Sequence, residues 1–139
     1  MAWRKWRFWS FTTKKTMIEH CGAYIGEGLR RIVYQDKTNP NYVIKFLKKL
    51  EDPHNKIEFW NWENWKYDER GKWFAPCHSI SEDGRFLVQV KVELLDNPPE
   101  QIPEWIKVLR DYEVGGNKSR PRGIYNSHPV LVDYGDQIL

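Results

Sequence analysis

Between Cys21 and Leu50, short apolar stretches, partly alternating with polar positions, are separated by glycines and polar turn residues, the pattern of strands. Cys21 to Leu50 reads as strand, glycine-containing loop, strand, turn and strand. Ala23 and Ile25 lead to Gly26 and Gly28, and Leu29 to Tyr34 resumes the alternation, either through Ile32 and Tyr34 or through Val33. Asp36-Lys37-Thr38-Asn39-Pro40-Asn41 is a dense turn signal, and Tyr42-Val43-Ile44-Lys45-Phe46-Leu47 has the β-branched and aromatic content of a buried strand. Lys45 breaks that run, because a long cation among apolar neighbours needs its head in water or against a partner. Asp52-Pro53-His54-Asn55 then leads into a helix expected from about Lys56 to Glu69 and closed by Gly71. Ile57, Phe59, Trp60, Trp62, Trp65 and Tyr67 surround most of its axis, so the expectation is burial on more than one side.

Further on, Trp73 to Ile80 and Arg85 to Val92 flank Ser81-Glu82-Asp83-Gly84, and an Asp-Gly turn between apolar runs predicts a hairpin. Asp96-Asn97-Pro98-Pro99 breaks the chain, and Pro103 suits the first turn of a short helix through Trp105, Ile106, Val108 and Leu109. Gly115 to Gly123 reads as a polar loop and Pro129 to Asp133 as a last short strand. The pattern predicts an α+β domain: about five antiparallel strands, one large packed helix, and a reduced C-terminal part with a short helix and a hairpin.

Composition changes this picture in three places. The 139 residues suit one domain that needs no covalent staple, and two cysteines, Cys21 and Cys77, cannot form a disulfide framework, which favours a reducing cytoplasm. No apolar run approaches the roughly 18 residues of a transmembrane helix. The charge is lopsided: Arg4, Lys5, Arg7, Lys14 and Lys15 give the first 17 residues +5 with no acid, leaving 17 basic against 19 acidic residues in the rest. The net +3 is a basic arm, residues 1–17, on a nearly neutral body, residues 18–139, which disfavours a chain-wide nucleic-acid interface. In the arm, Trp3, Trp6 and Trp9 alternate with Arg4, Lys5 and Arg7; these side chains could fill a groove on the domain, or meet a partner through Trp3, Arg4, Lys5, Trp6 and Arg7.

Candidate chemistry lies in an ordered set of motifs. Gly26-Glu27-Gly28-Leu29-Arg30-Arg31-Ile32-Val33 resembles the kinase G-x-G-x-x-G-x-V loop with Arg31 in the place of the third glycine. Val43-Ile44-Lys45 resembles the V-A-I-K strand, the following helix offers Glu58 and Glu63 as partners for Lys45, and Val132-Asp133-Tyr134-Gly135 resembles D-F-G with Tyr for Phe. Leu109-Arg110-Asp111, with Asn117 one residue further than H-R-D-x-x-x-x-N requires, is a looser match. Together with Asn55-Lys56-Ile57-Glu58, the stretch from Ala75-Pro76-Cys77 to Val88, and Asp133-Tyr134-Gly135-Asp136, these motifs make the chain similar to the small protein-kinase-like proteins of tailed bacteriophages, over roughly residues 20 to 136.

The resemblance implies a β-rich kinase-type N-lobe with one helix and a reduced remnant of the second lobe; the departure expected from the kinase pattern, with only four residues after Gly135, is the loss of the activation loop and A-P-E segment. It implies ATP and Mg²⁺ held by Gly26, Gly28, Lys45, Glu58, Asn117 and Asp133, with Lys45 on the phosphates, Asp133 and Asn117 on the metal, and Asp111 as the base. Two functions follow as expectations: a minimal phosphotransferase in a host cytoplasm, or a pseudokinase scaffold that binds and inhibits a host defence or regulatory protein. Two other constellations carry less. His20-Cys21 and Cys77-His78 are metal-type pairs, but neighbours on a strand point to opposite faces and would not converge on one ion. Cys77, in apolar surroundings, reads as an inert core thiol.

Overall fold

The computed structural model describes residues 14–97, 99–111, 117–118 and 120–139. The expected arm contacts at Trp3, Arg4, Lys5, Trp6 and Arg7 lie outside the described residues. A short helix α1 (Lys14–His20) leads into β1 (Cys21–Glu27), β2 (Arg31–Asp36) and β3 (Tyr42–Leu47). Helix α2 (His54–Trp65), a 3-10 turn (Glu69–Trp73), β4 (Cys77–Ile80) and β5 (Phe86–Val90) follow. These strands form one antiparallel sheet in the order β1-β2-β3-β5-β4. No described helix is long and apolar enough to cross a membrane.

The strand turns form where local chemistry demands. The Asp36 carboxylate accepts the backbone N–H groups of Thr38 and Asn39, closing the β2–β3 turn. Gly84 takes φ +78° at the end of the β4–β5 loop, a left-handed conformation that favours glycine. Register then sorts the side chains. Ile32 pairs with Phe46, Ile44 with Val88 and Phe46 with Phe86, which places one apolar cluster on one face. Val33 pairs with Lys45 and Lys45 with Leu87 on the opposite face, where α2 packs. There Cys77, Leu87, Phe74, Ile106, Leu109, Leu131 and Tyr134 form the second cluster.

Helix α2 differs from the expected helix in extent and in what it buries. Its first turn is set by Asp52, which accepts the His54 N–H at 3.0 Å, and it stops at Trp65 rather than Glu69. Gly71 does not close α2; it lies inside the 3-10 turn, so near Trp65 O and Lys66 O that a Cβ would fall 2.5 and 2.8 Å from them. The completely buried positions of α2 are polar: His54, Asn55, Glu58 and Asn61. Trp60 is half exposed and Tyr67, past the helix end, is almost fully exposed, so the aromatic residues do not all turn inward.

The C-terminal part contains β6 (Glu93–Leu94), α3 (Glu104–Lys107), the short pair β7 (Arg110–Asp111) and β8 (Asn117–Lys118), and the hairpin β9 (Gly123–Tyr125) with β10 (His128–Val130). Asn117–Lys118 and Gly123 are therefore strand residues within the stretch expected to be a loop. The last strand is shifted to start at His128, and Leu131 continues it through a parallel bridge to Phe74. Asn126 and Ser127 both have positive φ, the signature of a tight two-residue hairpin turn.

Candidate functional site

Lys45 is 3% exposed in the centre of the sheet. Its ammonium donates to Glu58 Oε2 at 3.0 Å and also to the Val132 carbonyl. Glu58 reaches it from the middle of α2, one helical turn after His54, and is itself fully buried. Glu63, the other acid on the helix, is exposed and pairs with Lys66 at 2.8 Å.

A second cation enters from β2. Arg31 lies on the face shared by Val33 and Lys45, since it pairs with Leu47 while Val33 pairs with Lys45. Its guanidinium donates to Glu58 Oε2 at 2.8 Å and Oε1 at 3.3 Å, to Asn55 Oδ1 at 3.1 Å and to Asp133 Oδ1 at 2.8 Å. Asp133 Oδ1 also lies 2.7 Å from His54 Nε2, and His54 Nδ1 faces Asp136 at 3.3 Å and Arg30 at 3.4 Å. Asn55 fastens α2 to the sheet by donating to the carbonyls of Lys45, Gly84 and Arg85.

The last residues of the chain dock on the same helix. Tyr134 N–H donates to Glu58 Oε1 at 2.7 Å, and Asn61 donates to the carbonyls of Tyr134 and Gln137. Gly135 passes so close to His54 that an added Cβ would meet His54 O, with the ring Cδ2 at 2.7 Å. Glycine is therefore required by this approach. The Tyr134 hydroxyl donates to Ala75 O at 2.6 Å and lies 3.2 Å from Cys77 Sγ. Burial pushes the Cys77 thiol up to about 12, which fits an inert core sulfur.

Electrostatics at the centre is balanced, two cations against two carboxylates. Burial, with the nearby Arg31 charge, pulls Lys45 below its ordinary range against the opposing pull of Glu58 and Asp133. Burial acts to raise Glu58 and Asp133, but Arg31 and Lys45, and for Asp133 also the hydrogen bond from His54, outweigh it and hold both carboxyls low. His54, Glu58 and Asp133 offer ligand atoms within 4.8 Å of one another, a spacing at which a metal ion could be held. Yet Glu58 already accepts four N–H donations, which fills its lone-pair positions, and Arg31 bridges it to Asp133. As arranged, the cluster does not fit Mg²⁺.

The remaining sequence-predicted residues lie elsewhere or contribute through the backbone. Gly26 of β1 pairs with Val33 of β2, and a Cβ there would meet open space. Gly28 N–H donates to Arg31 O in the β1–β2 turn. Asp111 and Asn117 face each other as paired backbone positions of β7 and β8, and their side chains lie outside the described residues. Cys21 packs with the Ile44 cluster and Cys77 with the Phe74 cluster, so the two thiols belong to different cores. No protein-family model matches the chain, and no curated protein is significantly similar to it.

Proposed function

We propose that this chain is a non-catalytic scaffold, laid out like a kinase N-lobe, that works by binding another protein. The observation that carries this reading is Arg31: its guanidinium contacts both Glu58 and Asp133 at 2.8 Å, the two carboxylates that a nucleotide site would reserve for the lysine and the metal. The residue that replaces the third glycine of the loop thus supplies an internal cation in place of a bound one. Among the described residues, β1 has a neighbouring strand on one side only, and Tyr24, Ile25 and Leu29 on or beside it are 57, 49 and 72% exposed. An edge that no described strand covers, with apolar side chains on it, suits a protein partner. The resemblance to phage proteins makes a host defence or regulatory protein the expected target, inhibited by occupation.

The alternative, a reduced ATP and Mg²⁺ site capable of phosphotransfer, is favoured by the Lys45–Glu58 contact, and it requires Arg31 to swing out of the cluster. Thermal unfolding with and without Mg-ATP separates the two, because a ligand of the native state raises the melting temperature by mass action. No shift is expected in the parent. A saturable rise that Lys45→Met abolishes would overturn the scaffold reading and establish the nucleotide site.

A further inference from the structure

On the far side of α2 from its N-terminus, the chain builds a cleft of about 450 Å³, a volume typical of small-ligand sites. Trp73, Pro103 and Trp105 are its apolar walls, and Asp68, Glu69, Arg70 and Lys72 its polar lining. The walls are held firmly. Asp68 caps the 3-10 turn by accepting the Arg70 N–H at 2.9 Å, and Gly71 packs against the last carbonyls of α2. Trp73 meets the edge of His128 at 4.5 Å, its carbonyl accepts the Leu131 N–H, and Trp105 leans on Phe74.

Arg70 is the unusual member. Its guanidinium lies over Trp65 at 4.5 Å and Trp105 at 5.3 Å, and among the described residues no carboxylate lies within ion-pair distance of it. Arg31 lies between two acids, whereas Arg70 lies between two indoles. Cation–π contacts hold a guanidinium in place without using its N–H fork, and that fork matches a carboxylate or phosphate. Lys72 lines the same cleft, its contact with exposed Glu69 being a long 4.0 Å.

We propose that this cleft binds a small ligand that joins a planar ring to an anionic group, with the ring against Trp73 and Trp105 and the carboxylate or phosphate on Arg70. The site is separate from the Lys45 cluster and does not depend on the scaffold reading.

The test is a titration of the full chain, ¹⁵N-labelled at its tryptophan indoles, with benzoate as the carboxylate probe and AMP as the phosphate probe. Benzamide and adenosine serve as the uncharged counterparts. Trp73 and Trp105 signals are identified from Trp→Phe variants. Saturable movement of both signals by at least one anion is expected, about tenfold weaker for the uncharged counterpart and for Arg70→Gln, and partly restored in Arg70→Lys. Which anion wins identifies the ligand class. Equal binding of charged and uncharged probes, an unchanged response in Arg70→Gln, or still indoles up to about 10 mM of both anions would overturn the proposal. So would an AMP response that leaves Trp73 and Trp105 unmoved and disappears in Lys45→Met, since that outcome places the anion at the other cluster.

Discussion

Ile44 and Lys45 are neighbours on β3, both almost fully buried, and they face opposite sides of one sheet. Around Ile44, the cluster of Phe46, Phe86 and Val88 gains stability by removing apolar surface from water, about 1.5–3 kcal/mol per large side chain. Around Lys45, Arg31, Glu58 and His54 are buried to a similar depth, and the Asp133 carboxylate that joins them keeps 27% exposure. Desolvation opposes every charge there, and mutual attraction must offset it. The apolar face tolerates small changes in proportion to volume. The charged face holds only while every partner is present, which makes it a device for fixing geometry rather than a general source of stability.

Removing one partner is therefore the most severe test. Glu58→Gln keeps the shape but leaves Arg31 and Lys45 as two buried cations without their shared anion, and should cost about 3–5 kcal/mol in urea unfolding. A cost below 1 kcal/mol would mean that water already reaches the cluster and that the contrast between the faces is false. Ile44→Ala, on the other face, should cost about 2–4 kcal/mol from lost burial and the cavity left behind.

Acid distinguishes the two losses even where their sizes are close. Glu58 and Asp133 have folded pKa values held below the usual carboxyl range, so the unfolded chain binds more protons as pH falls. Their contribution is complete above the unfolded carboxyl range near about 4 and is lost as pH falls from there through the lowered folded values. Urea midpoints from about pH 6 to about pH 2 should show the gap between parent and Asp133→Asn closing with acid. The gap between parent and Ile44→Ala should stay level. A level gap for Asp133→Asn would indicate a turn residue without a charge role.

A smaller effect is expected where the C-terminal segment meets α2. Gly135→Ala forces a methyl group against the His54 backbone and ring, and should cost about 1–3 kcal/mol by melting temperature. Pushing the segment away also lengthens the Asp133 contacts to Arg31 and His54, so in this variant the acid-dependent part of stability should shrink as well. A stability loss with an unchanged acid profile would separate Gly135 from the charged face.

The strand that carries the apolar face was legible in the sequence, because the β-branched and aromatic run from Tyr42 to Leu47 suits a buried strand, although a run that is apolar on both faces leaves its register open. The charged face announced itself through Lys45, since a cation in an apolar run must find a partner, and the order of motifs added Glu58 and Asp133. The rest was hidden for specific reasons. The alternation from Leu29 to Tyr34 admits inward faces through either Val33 or Ile32 and Tyr34, and only the first turns Arg31 inward; pairing of Val33 with Lys45 decides it. His54, Asn55 and Asn61 were overshadowed by the six large apolar residues around them. Their acceptors, the carbonyls of Gly84 and Tyr134 and the Asp133 carboxylate, arrive from far along the chain. A buried polar stripe of this kind has no local signature.

The smallest expected effect tests whether burial, and not merely the presence of an acid on α2, makes the charged face what it is. Glu58 and Glu63 are five residues apart on one helix, and each accepts from a lysine at about 3 Å: Glu58 from Lys45 at 3.0 Å and Glu63 from Lys66 at 2.8 Å. Contact distance alone would rank them equal. Glu58 is fully buried with four donors on it, however, while Glu63 stands in solvent, where water replaces a lost partner and the i,i+3 pair contributes little. Glu63→Gln should change stability by less than about 0.5 kcal/mol and leave the acid profile where it was. A loss comparable to that of Glu58→Gln would show that long-range charge on α2, rather than desolvation inside the cluster, governs the ion pairs of this protein.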